Sequence, residues 1–135
     1  MGILTELFVA TDEEARSYDG DSADSFQSVQ LGGLTNLEFE TLWAILEGKE
    51  WSPDSHGLEE VRFTDDMWTF KFPAAYVELL RKLDTKGVTA AAERWAATEE
   101  ISCAPAEVEH VIVALVAIAG TIGDDNRSLF LWVSL

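Results

Sequence analysis

The residues able to do chemistry are few and far apart. Glu107-x-x-His110 has the i, i+3 spacing at which two side chains of one helix can share a metal ion. Carboxylate-bridged sites built on that spacing need a second such pair and two further glutamates on facing helices, and this chain has one pair alone. The attraction of an acid for the positive end of a helix already explains a glutamate in a first turn. No metal is therefore expected. Cys103 stands at the mouth of the same helix, where the helix dipole lowers a thiol pKa. As the single cysteine it has no resolving partner, so it is read as a small half-buried residue. It forms no internal disulfide and suits a reducing cytoplasm. Asp19-Gly-Asp21-Ser-Ala-Asp24 has the oxygen-rich start of a calcium loop. It lacks the glycine at loop position 6 and the bidentate glutamate at position 12, and reads as a solvated acidic loop. Gly32-Gly33-Leu34 lacks the further glycine and the lysine of a phosphate-cradling loop. His56 and His110 are the only histidines, too little for a triad argument. No catalytic residue and no cofactor is expected.

Aromatic residues carry more information. The chain has five tryptophans: Trp43, Trp51, Trp68, Trp95 and Trp132. In the segment Arg94-Trp95-Ala96-Ala97-Thr98-Glu99-Glu100, Thr98 and Glu99 follow Trp95 by three and four residues and share its side of a helix. A carboxylate there is ordinarily structural, satisfied by a loop or a base. The sharper reading is a ligand-facing carboxylate, Glu99, beside a tryptophan wall. Trp51 falls in a loop containing Pro53 and Gly57 and is the best candidate for an exposed contact aromatic.

The elements that must position these residues follow from periodicity and stop signals. Thr11 with Glu14, and Thr35 with Glu38, are capping boxes that open helices over 12–18 and from 36. Phe39, Leu42, Trp43 and Leu46 form one apolar stripe, and Gly48 supplies the stop. The opening Leu7-Phe8-Val9 suits either strand or helix. Phe26 to Leu31 reads as a strand. Val61 and Phe63, then Trp68, Phe70 and Phe72, alternate with polar residues and suggest a hairpin. Pro73 opens a helix lined by Tyr76, Leu79, Leu80 and Leu83. Thr89 is read as the cap of a helix over 90–100, and Pro105 opens the last helix. That helix is apolar nearly all round, and about twelve apolar residues fall short of the ~20 that span a bilayer. Leu129 to Leu135 is the almost unbroken apolar run of a central strand. The expected fold is α+β in a single domain over 1–135. It has a small, mostly antiparallel sheet of about four strands packed with four to five helices.

Charge narrows the function classes. Of 135 residues, 25 are acidic and 9 basic, for a formal charge of −16. Residues 1–66 hold 16 acids and 3 bases, a net of −13, and residues 67–135 hold 9 and 6, a net of −3. Such a balance disfavours direct contact with nucleic-acid phosphates or anionic lipid. It is compatible with a solvated surface, or with an acidic face for a basic protein partner.

In its order of segments the chain resembles a group of small uncharacterised bacterial proteins. The resemblance runs through VQLGGLTNLEFETLWAILEG, WTFKFPAAYVELLRKL, RWAATEEI and the terminal LFLWVSL, nearly the whole length. It implies a self-contained domain and draws attention to Trp95, Thr98, Glu99 and Trp132. It implies no cofactor and no activity.

Three function classes follow. The first is a non-enzymatic cytoplasmic protein that shields a basic partner, as immunity or antitoxin-type proteins do, through its acidic half and Trp51. A mimic of DNA charge is one variant of it. The second is a small-molecule binder with a pocket near Trp95 and Glu99. The third, an enzyme, lacks a visible cluster of titratable groups.

Overall fold

The computed structural model describes residues 4–16, 27–32, 34–64, 66–98, 105–122 and 126–134. In chain order the elements are β1 (Leu4–Thr11), α1 (Asp12–Arg16), β2 (Gln27–Gly32), α2 (Asn36–Glu47), α3 (Pro53–His56), β3 (Glu59–Phe63), β4 (Met67–Lys71), α4 (Ala74–Arg81), α5 (Thr85–Ala96), α6 (Pro105–Ala119) and β5 (Arg127–Ser134). The fold is α+β. Five strands in the order β2-β1-β5-β4-β3 pair antiparallel throughout. The strand beyond the expected four is β1, whose Leu7-Phe8-Val9 is apolar on consecutive residues because both sheet faces are covered there.

The apolar run at the C-terminus is the sheet's central strand. β5 pairs β1 from Leu4↔Ser134 to Thr11↔Arg127, and β4 from Met67↔Ser134 to Lys71↔Phe130. Alternate side chains then serve two cores. Leu129, Leu131 and Val133, with Leu7, Val9 and Phe70, pack under the helices. Phe130 and Trp132 turn to the other face with Phe8 and Ala10, where Ala15 of α1 closes over them. Phe8 and Phe130 lie directly opposite in register and stack with ring centroids 5.4 Å apart.

α1, α2 and α5 start where side chains satisfy amides at the helix entry. Thr11 and Glu14 exchange bonds at α1: the Thr11 amide donates to Glu14 Oε1 (2.9 Å) and the Glu14 amide to Thr11 Oγ1 (3.2 Å). At α2 the Thr35 amide donates to Glu38 Oε2 (3.1 Å). α5 starts earlier than Thr89 suggests. Its cap is Asp84, whose Oδ1 accepts from the Gly87 amide at 2.7 Å. Thr89 sits mid-helix and turns its hydroxyl back to the Thr85 carbonyl, 3.2 Å away. α6 buries Val108, Val111, Ile112, Leu115 and Ala119, while Val113 on its reverse side is exposed. No described helix is long and apolar enough to cross a membrane.

Candidate functional site

Among the residues singled out from the sequence, Trp95 and Trp51 have opposite surroundings. Trp95 has no exposed surface. Its ring lies 6.0 Å from that of Phe39, and its Nε1–H donates to the Glu38 carbonyl at 2.9 Å. Both its apolar body and its polar handle are thus spent inside the core. The pocket wall expected of Trp95 is a core wall: an enclosed ring has no surface to offer a ligand. Thr98 Oγ1 donates to the Trp95 carbonyl at 2.7 Å, closing the C-terminal end of α5. Glu99 lies outside the described residues, as do Cys103, Gly33 and the segment 19–24, and so does the side chain of Glu107. His110 is exposed on α6. No group of three or more metal-ligating side chains occurs among the described residues.

Trp51 is 42% exposed and stands in the short connection from α2 to α3. The connection is closely held. Gly48 adopts the left-handed conformation (φ 71°, ψ 30°), which glycine reaches at no steric cost. The Gly48 and Lys49 amides then donate to the Ile45 and Ala44 carbonyls, at 3.1 and 3.0 Å, and terminate α2. Three residues on, Ser52 opens the single turn of α3 with Pro53 behind it, a favoured first-turn residue.

His56 locks that turn from below. It is 1% exposed. Its backbone amide donates to the Ser52 carbonyl at 2.8 Å, and its ring Nδ1 accepts the Ser52 amide at 3.0 Å. An amide N–H can only donate, so Nδ1 carries no proton and the ring proton sits on Nε2. Nε2–H in turn donates to Glu47 Oε1 at 2.7 Å, tying α3 back to the last turn of α2. Both ring nitrogens are thereby engaged in holding the chain, which leaves neither for general base work in this arrangement.

A stack of rings supports the brace. Trp43 meets the His56 ring edge-on at 5.3 Å and lies nearly parallel to Tyr76, also at 5.3 Å. The Tyr76 hydroxyl donates to the Phe39 carbonyl. Burial, with the Glu40 carboxylate adding to it, pushes the Tyr76 hydroxyl well above its ordinary range. Glu40 is itself buried, and its Oε2 accepts from the Asn36 side chain and the Leu58 amide, each at 3.1 Å. That second bond fixes where the chain enters β3. The α2–α3 connection is therefore pinned at both ends and underneath, and it presents Trp51 between exposed Glu50 and Asp54.

The brace had a readable signal in part. Ser52-Pro53 is a cap followed by a first-turn proline, enough to predict a helical turn inside 49–57. The bond from His56 to Glu47 joins residues nine apart across a bend and has no spacing rule to announce it. Comparison with other proteins adds no template: no protein-family model, no curated protein and no solved structure matches the chain.

Proposed function

We propose that this protein acts by contact with a basic protein partner, and that the α2–α3 connection carrying Trp51 is a principal contact point. The observation that carries the reading is the exposed Trp51 on a connection held by buried His56. An exposed indole on a pinned loop offers a large contact area with little chain entropy left to lose on binding. Its face attracts a lysine ammonium or arginine guanidinium. Exposed Glu50 and Asp54 flank it, and the net charge of −16 draws a basic partner in from a distance. The activity would be shielding, as in immunity or antitoxin-type proteins, with no bond made or broken. A single cysteine, Cys103, suits an encounter in a reducing cytoplasm.

The test is capture from native lysate with tagged wild type and with a Trp51→Ala, Glu50→Gln, Asp54→Asn variant, each at low and high salt. A basic protein retained by wild type at low salt, and lost from the variant or at high salt, is the expected result. Equal capture by both forms would remove this surface from the reading.

A further inference from the structure

The β3–β4 hairpin carries an irregularity that sets which side chains reach the helix side of the sheet. Glu60 lies opposite Phe70, Arg62 opposite Thr69 and Phe63 opposite Trp68, with the register shifting between Glu60 and Arg62. Phe70 and Trp68 are two residues apart and share a face, so Glu60 and Phe63, three apart, share it too. A regular strand would keep Arg62 on that face beside Glu60 and send Phe63 to the other. The bulge therefore exchanges a cation for an aromatic ring on the helix side.

That ring extends an open apolar groove of about 250 Å³. Thr35, Asn36 and Leu37 line it from the start of α2, and Trp68, Phe70 and Val133 from β4 and β5. Phe70 and Val133 are buried, but Leu37 is 52% exposed and Trp68 is half-buried. Phe63 is 57% exposed, with its ring centroid 5.5 Å from that of Trp68. The described residues expose four large apolar side chains, and two of them, Leu37 and Phe63, flank this one tryptophan. Apolar residues exposed singly are ordinary, whereas a contiguous group marks a contact surface.

Charge indicates what covers it. Exposed Glu60 is on the same face, and exposed Asp66 sits in the turn between Phe63 and Trp68. The Glu38 carboxylate accepts the amide of Thr35, a lining residue, at 3.1 Å. The cations of the hairpin lie on the reverse face: Arg62 opposite Thr69, and Lys71 two residues on, paired with Asp12 at 2.9 Å. A second copy of the chain would bring these acids against one another and oppose two net charges of −16. A basic partner meets no such repulsion.

We infer that this groove takes an apolar side chain flanked by lysine or arginine, from a short segment of a basic protein. The apolar group enters between Leu37 and Phe63 onto the Trp68 ring, and the flanking cations meet Glu60 and Asp66. The inference rests on the reading of a basic protein partner and adds a contact separate from Trp51, which follows the far end of α2, about 15 Å of helix from Leu37.

The test is an amide chemical-shift titration of the full chain with a capped peptide of one phenylalanine between two pairs of lysines. Control peptides replace the phenylalanine with serine, or the lysines with glutamine. Saturating shifts at Leu37, Glu60, Phe63 and Trp68, at lower concentration than with either control, are expected. Leu37→Ser and Phe63→Ser, both at exposed positions, should each weaken binding about tenfold. Glu60→Gln with Asp66→Asn should flatten its salt dependence. Shifts that never saturate, or binding unchanged in all these variants, would overturn the inference. Saturating shifts centred on residues 48–54 would overturn the groove and leave the Trp51 reading standing. Sedimentation of the protein alone at high salt should show a monomer. A dimer that Leu37→Ser abolishes would give the groove to a second copy and overturn the inference as well.

Discussion

Trp95 is wholly enclosed, whereas Trp51 keeps 42% of its surface in solvent. The two differ in how the chain around them is held. Trp95 sits on the buried stripe in the last turn of a 12-residue helix, so helical spacing carries it into the core, and the Glu38 carbonyl receives its N–H. Trp51 sits where no periodicity applies, and the work of holding it falls to its neighbours: Gly48 ends α2, Ser52 opens α3, and His56 joins the two. The comparison teaches that an indole on a stripe is spent on stability. An indole on a braced connection remains available for contact.

Substitutions should separate these roles. The largest effect falls on the core. Trp95→Ala removes the fully buried indole and its bond to the Glu38 carbonyl, and should destabilise the fold by about 3–5 kcal/mol in urea unfolding. A loss below about 1 kcal/mol would undo the assignment of Trp95 to the core. Next comes the brace. His56→Ala opens a buried gap and strands the Ser52 amide, for an expected cost of about 2–3 kcal/mol. The same change should increase hydrogen exchange at Ser52 beyond the change at β5. A uniform increase would mean that His56 serves the fold generally and not the connection.

A smaller effect belongs to the ring stack. Tyr76→Phe removes the hydroxyl that meets the Phe39 carbonyl and should cost about 1–2 kcal/mol. Tyr76 also predicts a pH dependence. Its hydroxyl pKa is raised in the folded state, so the unfolded chain ionises first. Its contribution is full below the ordinary tyrosine pKa of about 10 and is lost as pH climbs above that value. Alkaline unfolding should therefore be displaced between wild type and Tyr76→Phe, and identical midpoints would contradict the burial argument. Smallest in stability is Trp51→Ala, expected within about 0.5 kcal/mol of wild type. Its effect should appear in binding alone.

The parts of this arrangement legible in the sequence are those governed by local rules. Thr11 with Glu14 and Thr35 with Glu38 mark the starts of α1 and α2, and the almost unbroken apolar run 129–135 marks β5 as central, because each signal is contained within a few residues. The start of α5 is not where Thr89 alone suggests it. Asp84 takes the role because its carboxylate reaches the Gly87 amide, while Thr89 lies a full turn inside. β1 was ambiguous because a strand buried on both faces loses the alternation that identifies strands. Trp51 was identified by its loop setting, but its support was hidden, since the bonds of His56 to Ser52 and Glu47 depend on a bend.

The central claim is that an acidic, braced connection presents Trp51 to a basic partner. Its most direct test is the dissociation constant of the captured partner, measured across a salt series for wild type, Trp51→Ala and Glu50→Gln/Asp54→Asn. Trp51→Ala should lose about tenfold or more in affinity with the salt dependence unchanged. The amide pair should flatten the salt dependence. If the partner binds all three forms with the same affinity and the same salt dependence, the connection is not the contact surface and the account is wrong.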